Sequence, residues 1–129
     1  MSKDTITMIV RFSDVDATGV VWHGNYLHYL EVAREEYCRR RGFDYRRMLS
    51  DGIEAPIVDL KVRYMKPAQM GDNIVVNIHC AKTRGAKLTF DYEIRNENGD
   101  TLLIARTIQL FTDCDGNLLV EQPQFLSML

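Results

Sequence analysis

The chain has 129 residues, of which 46% are hydrophobic and 26% charged, and its formal net charge at pH 7 is -2. This is the length of one domain, and so small a net charge gives no general attraction to nucleic acid or to an anionic membrane. The start of the chain lacks a basic stretch followed by an apolar segment, and no apolar run approaches the ~18 residues of a membrane span. We therefore expect a single domain over residues 1–129, soluble and cytoplasmic, with no membrane span and no nucleic-acid partner.

The three cysteines, Cys38, Cys80 and Cys114, are far apart in the sequence and belong to no CxxC pair or Cys/His cluster. An odd number at such spacing argues against a disulfide framework and against a zinc site. The sequence therefore predicts three small apolar residues in a reducing compartment, and it calls for no metal or other cofactor.

The first half of the chain contains one predicted strand and two predicted helices. Apolar and polar residues alternate over residues 5–12, which is the period of a half-buried strand with Phe12 on its apolar face. After a loop, apolar residues recur at helical spacing and predict a long helix over residues 25–41. A shorter helical turn is predicted between Asp44 as its N-cap and Gly52.

Hydrophobic residues then alternate with polar ones in four further stretches, at residues 58–64, 74–80, 87–95 and 101–112. This period of two predicts four strands, and Asn98-Gly99 predicts a tight hairpin between the last two. Short connections predict an antiparallel meander with the apolar side of each strand facing the core. With the first strand, this gives an α+β fold with an antiparallel sheet of about five strands, whose open edges favour assembly.

Two carboxylates, Asp14 and Asp16, and Gly19 lie in the loop before the long helix. The first N–H groups of a helix are unpaired and the local dipole is positive, so an acid there could act beside a place that binds a developing oxyanion. Aspartates are also common in loops because they cap turns, and the spacing alone leaves both roles open. We expect Asp14 to accept backbone N–H bonds and so fix the loop.

The loop and the helix carry the motif D-x-D-x-x-G-x-V, then His23, Asn25-Tyr26, Glu31, Ala33-Arg34 and Glu36. This stretch resembles the hotdog-fold acyl-CoA thioesterases of the 4-hydroxybenzoyl-CoA thioesterase type, particularly the branch with the bacterial Tol-Pal-associated thioesterase. The resemblance also takes in residues 56–72 and so covers nearly the whole chain. It implies an antiparallel sheet wrapped around one long central helix, hydrolysis of an acyl-CoA thioester to free acid and CoA, and a homodimer or homotetramer.

By position, the resemblance places the catalytic carboxylate on Asp16, as general base or as nucleophile, and both routes stay open. It places the N–H that polarises the thioester carbonyl on His23, whose imidazole could also position water or contact the substrate. The implied substrate site comprises Gly19, Val20, Trp22, Asn25 and Tyr26. Capping and packing of the helix start are the alternative roles for Asn25 and Tyr26.

The phosphates of CoA require basic side chains, and the resemblance places these on Arg84 and Lys87, on either side of Gly85. A solvated basic hairpin is the alternative, and Arg63 and Lys66 are weaker candidates for the same role. The acyl group, and whether it is carried by CoA or by an acyl carrier protein, stays open.

Two other functions compete with hydrolysis. A hotdog dehydratase acting on hydroxyacyl thioesters would use His23 and a carboxylate such as Glu31. A non-catalytic protein that binds acyl thioesters would need neither. Because Glu31 and Arg34 are three residues apart on the helix, we expect them to form an ion pair instead of an acid–base pair.

Overall fold

The computed structural model describes residues 2–129, which form an antiparallel sheet packed against one long helix. The two α-helices are α1 (Asn25–Arg40) and α2 (Tyr45–Ser50). The strands are β1 (Ser2–Ile9), β2 (Ile53–Glu54), β3 (Ile57–Tyr64), β4 (Asn73–Ala81), β5 (Lys87–Arg95), β6 (Thr101–Leu110) and β7 (Thr112–Asp113).

The large sheet has the order β1-β4-β5-β6-β3, and all of its neighbouring strands are antiparallel. α1 packs on β4 and β1, and its apolar stripe is buried against them. The predicted α+β hotdog architecture, with about five strands and one long helix, is therefore confirmed. The buried side chains of α1 include Tyr26, Tyr29, Leu30, Ala33 and Tyr37.

The two predicted helices are also confirmed. α1 ends one residue before the predicted position 41, and Gly42 follows with a φ of 76°, a conformation that glycine adopts without a side-chain clash. α2 begins after Asp44, whose carboxylate accepts the Arg46 N–H at 2.8 Å. This bond satisfies one of the free N–H groups of the first turn.

The first strand has the predicted length but lies three residues earlier, since β1 covers Ser2–Ile9 and the prediction was residues 5–12. The Val10 N–H donates to the Asp72 carbonyl and the Gly71 N–H to the Val10 carbonyl, and the chain then turns between Arg11 and Asp14. Phe12 follows in a 3-10 turn and is 81% exposed. Its predicted place on the apolar face of the strand is therefore wrong.

The predicted four-strand meander holds only for β4, β5 and β6, because β3 pairs with β6 and β1 takes the place beside β4. The connection over residues 65–72 is an anchored crossover and not a tight turn. Its Ala68 N–H donates to the Tyr26 hydroxyl at 2.9 Å, and its Ala68 carbonyl accepts the Val21 N–H at 2.9 Å. These bonds tie residues 65–72 to the start of α1 and separate β3 from β4.

β3 is consequently an edge strand, and the prediction that its apolar side faces the core is wrong. Val58, Leu60 and Tyr64 are each about half exposed, because α1 covers the β1–β4 side of the sheet and leaves this edge open. An open edge with exposed apolar side chains presents both unpaired backbone groups and hydrophobic surface.

The remaining predictions concern cysteines and membranes. Cys38 and Cys80 are buried free thiols, as expected of small apolar residues, whereas Cys114 is exposed. Within residues 2–129, no helix has the length and apolar character needed to cross a membrane.

Candidate active site

The loop that carries Asp16 is a small hairpin. The Asp16 N–H donates to the Val20 carbonyl at 2.9 Å, and Val15 forms an antiparallel bridge with Val21. Gly19 closes the turn with a φ of 83°, and its N–H donates to the Asp16 carbonyl at 3.0 Å. A residue with a side chain would be strained at that φ, so the glycine of the motif has a structural reason.

The Asp16 carboxylate lies on the surface and is only half satisfied. Its Oδ1 accepts both the Thr18 N–H, at 2.8 Å, and the Thr18 hydroxyl, at 2.6 Å. These bonds, the hydroxyl first, hold the pKa of Asp16 below its ordinary value. Within residues 2–129, Oδ2 accepts no hydrogen bond, so an ionised carboxylate is held in place with one oxygen available.

Asp14 fixes the loop, as predicted. Its Oδ2 accepts the Arg11 N–H at 2.9 Å and the Tyr29 hydroxyl at 2.8 Å. Its carbonyl oxygen accepts the Trp22 N–H at 3.0 Å and the Asn25 Nδ2 at 2.7 Å. Asp14 therefore joins the hairpin to the first turns of α1. Within residues 2–129 its Oδ1, like Oδ2 of Asp16, accepts no hydrogen bond, but Asp14 is partly buried whereas Asp16 is exposed.

Two successive peptide groups at the start of α1 have bonded carbonyls and free N–H groups. The Trp22 carbonyl accepts the Asn25 N–H at 2.8 Å, and the His23 carbonyl accepts the Tyr64 hydroxyl at 2.8 Å. In the described chain, the N–H groups of His23 and Gly24 have no acceptor. In the hairpin Asp14 pairs with Trp22, and Asp16 lies two residues further along the same strand. At the usual rise per residue, its backbone is about 7 Å from that pair.

Trp22 forms a wall at the helix entry. Its indole lies half exposed over Gly24, with a ring atom only 2.1 Å from where a Cβ would be, so a side chain at position 24 would displace the indole. The same ring lies 4.8 Å from the imidazole of His23, centroid to centroid. The two aromatic rings therefore stand beside the free N–H groups.

Other residues of the predicted substrate site have contacts within the chain. The Asn25 side chain donates to Asp14, and the Tyr26 hydroxyl accepts the Ala68 N–H, with Tyr26 only 3% exposed. Val20 forms a bridge with Gln69 and is partly buried. Asn25 and Tyr26 thus support the loop through the packing and hydrogen bonds that were their alternative roles.

Arg84 and Lys87 lie at the other end of the sheet from Asp16. The turn that contains Arg84 joins β4 to β5 beside Leu110, whereas β1 runs into the Asp16 loop at the end where Ile9 pairs with Asn73. A strand such as β5 spans roughly 27 Å at the usual rise per residue. The two basic residues and Asp16 are therefore not brought together within one chain.

Two other candidates, Lys66 and Glu31, form ion pairs within the chain. Lys66 forms an ion pair with Asp100 at 2.8 Å. Glu31 and Arg34 form the predicted ion pair through one carboxylate oxygen of Glu31.

Sequence reasoning missed two contributors to the site. Thr18 holds the Asp16 carboxylate, and a threonine two residues after an aspartate is a recognisable turn signal. Tyr64 contacts the His23 carbonyl, and no local pattern marks it, because it lies 41 residues further along the chain.

Known proteins of the same kind share both the sequence and the fold. The chain is 34% identical over 99 residues to the 1,4-dihydroxy-2-naphthoyl-CoA hydrolase of Thermosynechococcus vestitus, covering 76% of this chain and 68% of that protein. It is 32% identical over 98 residues to the acyl-CoA thioesterase YbgC of Haemophilus influenzae, covering 75% and 70%. A 1,4-dihydroxy-2-naphthoyl-CoA thioesterase from Synechocystis has the same fold, with a TM-score of 0.91, 23% identity and coverage of 98% and 93%.

The family model of the thioesterase superfamily matches residues 18–103. That range runs from the Asp16 hairpin, through α1 and the edge strand β3, into β6. Family model, relatives and fold agree, and the chain belongs to the thioesterase superfamily.

Proposed function

We propose that this protein hydrolyses an acyl-CoA thioester to the free acid and CoA, with Asp16 as the catalytic carboxylate and the His23 N–H as donor to the carbonyl oxygen. The observation that carries the proposal is an ionised carboxylate with one free oxygen, on the hairpin that leads directly into a helix start with unpaired N–H groups. The names of the relatives, acyl-CoA thioesterase and dihydroxynaphthoyl-CoA hydrolase, support the same substrate class.

The free Oδ2 of Asp16 serves either of two routes. As a general base it takes a proton from water as the water attacks the carbonyl carbon, a contribution of ~10² to 10⁴-fold. As a nucleophile it attacks the carbonyl carbon itself, the C–S bond breaks, CoA leaves as the thiolate, and water hydrolyses the resulting anhydride. Asp16 is ionised at neutral pH, as both routes require, since the bonds from Thr18 hold its pKa below an already acidic ordinary value.

In either route negative charge develops on the carbonyl oxygen. The His23 N–H, which has no acceptor in the described chain, would donate to that oxygen and contribute roughly 3 kcal/mol in the transition state. The positive end of the α1 dipole acts in the same direction. A thioester is already activated, so this apparatus suffices for the chemistry.

Assembly is part of the proposal, as a homodimer or homotetramer. The edge strand β3 exposes Val58, Leu60 and Tyr64, and pairing with a second copy would cover both its apolar side chains and its free backbone groups. Arg84 and Lys87 are too far from Asp16 in their own chain, so any contact they make with CoA would come from a neighbouring copy.

The test is thiol release from short, long and aromatic acyl-CoAs by the wild type, Asp16→Asn and Asp115→Asn. Asp115 is an exposed turn residue and provides the matched control. We expect Asp16→Asn to lose about 10²-fold or more in kcat while Asp115→Asn keeps the wild-type rate. Full activity in Asp16→Asn would refute the assignment. A wild type that cleaves no thioester would favour dehydration or binding without turnover.

A single turnover in oxygen-18-labelled water distinguishes the two routes. Label in the Asp16 peptide, read by mass spectrometry, would identify the nucleophilic route, because only an anhydride exposes the Asp16 carbonyl to water. The Asp115 peptide of the same digest provides the background.

A further inference from the structure

Within residues 2–129, the one side chain that hydrogen-bonds to the peptide between His23 and Gly24 is that of Tyr64. We propose that Tyr64 is a positioning residue, whose hydroxyl holds this peptide so that the Gly24 N–H is a second donor to the oxyanion. The inference rests on the proposed hydrolysis at Asp16 and adds to it a residue from the edge strand β3.

The geometry of the peptide group supports this assignment. All described peptide bonds are trans, so the N–H of Gly24 points away from the His23 carbonyl of the same peptide. With the Tyr64 hydroxyl bound on the carbonyl side at 2.8 Å, the N–H faces the opposite side, where no described residue accepts it. A hydrogen bond to the carbonyl also polarises the peptide and strengthens its N–H as a donor.

Tyr64 is held firmly enough for this role although it is 49% exposed. Its ring packs edge-on against Tyr26 with the centroids 5.6 Å apart, and Tyr26 is itself bonded to the buried Ala68 N–H. The Trp22 indole covers Gly24. The peptide is therefore fixed by contacts from both β3 and the loop.

The two proposed donors depend on different supports. The His23 N–H belongs to the peptide whose carbonyl accepts the Asn25 N–H, a local bond within the helix entry. The Gly24 N–H depends on Tyr64, which comes from a different part of the chain. Loss of the Tyr64 hydroxyl should therefore weaken one donor and leave the other in place.

The test compares Tyr64→Phe with Tyr37→Phe. Both hydroxyls donate to a backbone carbonyl, at 2.8 and 2.7 Å, but Tyr37 bonds to Leu129, remote from the helix entry. Removal of a whole oxyanion donor lowers kcat by about 10² to 10³-fold, and a donor that is only loosened should lose less, about tenfold. We expect that fall in kcat for Tyr64→Phe with KM within about twofold, because the contact forms in the transition state. Tyr37→Phe should keep the wild-type kcat.

A readout independent of turnover is the amide ¹H–¹⁵N resonance of Gly24. Because the Tyr64 hydroxyl bonds to the carbonyl of that same peptide, Tyr64→Phe should shift this resonance more than any other outside β3, and Tyr37→Phe should leave it in place. An unshifted Gly24 resonance, or unchanged kcat in Tyr64→Phe, would overturn the inference. If the wild type proved inactive while the Gly24 resonance shifted, hydrolysis would be the part that failed and the positioning contact would stand.

Discussion

Tyr26 connects the long helix to the crossover that supports the Asp16 hairpin, and Tyr26→Phe tests this connection. The Tyr26 hydroxyl accepts the Ala68 N–H at 2.9 Å, and the two residues are 3% and 0% exposed. Phenylalanine keeps the ring but leaves the Ala68 N–H buried without an acceptor, which costs about 1–3 kcal/mol of unfolding free energy. The Ala68 carbonyl accepts the Val21 N–H, so the loss extends to the hairpin.

Thermal unfolding followed by circular dichroism measures this cost. For a domain of this size, a loss of 1 kcal/mol lowers Tm by roughly 3–6 °C, so Tyr26→Phe should melt several degrees below the wild type. Tyr64→Phe is the matched control, because the same deletion there frees the carbonyl of the exposed His23 and not a buried N–H. Its Tm should fall by less than half as much. Equal losses in the two variants, or no loss in Tyr26→Phe, would refute the reasoning.

Two further variants test an ion pair and the proposed assembly. Arg41 donates two 2.9 Å bonds to Asp4 and holds the Asp4 pKa below 3.8, so Asp4→Asn should lower stability at pH 7 by ~1 kcal/mol. A lowered folded-state pKa stabilises the fold above pH 3.8 and loses that effect as pH falls through the folded value, so the Tm difference should shrink below about pH 4. Leu60→Glu puts a charge on the open edge β3 and should dissociate the oligomer, as measured by light scattering, with loss of thiol release.

For each of these variants, one outcome would contradict the prediction. A Tm difference for Asp4→Asn that stays constant down to pH 2 would mean that the carboxylate charge is not what stabilises the fold. Val120→Glu is the control for assembly, since Val120 is also exposed but lies outside the sheet. If Leu60→Glu and Val120→Glu had the same mass and activity, β3 would not be the interface.

The local periodicity of the sequence correctly predicted the helix and the strands whose buried side depends on one neighbouring element. α1 was predicted to within one residue, and its apolar stripe from Tyr26 to Tyr37 is buried, because a 3.6-residue period by itself determines which side of a helix is apolar. β4, β5 and β6 follow one another through short turns and pair in sequence order. The loop role of Asp14 also followed from local chemistry, since a carboxylate close to free N–H groups accepts them.

The same reasoning failed where burial depends on a distant part of the chain. A period of two shows that one side of β3 is apolar but does not show what covers it, and α1 lies over the other edge of the sheet. The crossover over residues 65–72 was taken for a short turn, because its bonds to Tyr26 and Val21 join positions more than 40 residues apart. The error at Phe12 has a local cause, because the bonds between Arg11 and Asp14 form a 3-10 turn there in place of a strand.

The sequence by itself determined the family and the motif, because the Asp16 loop and the helix start are contiguous and their spacing can be read directly from the sequence. Only the tertiary structure decided that Tyr64 reaches the His23 carbonyl and that Arg84 lies at the far end of the sheet. Such relations depend on the path of the chain through the fold, and that path is set by long-range hydrogen bonds and packing that no local pattern encodes.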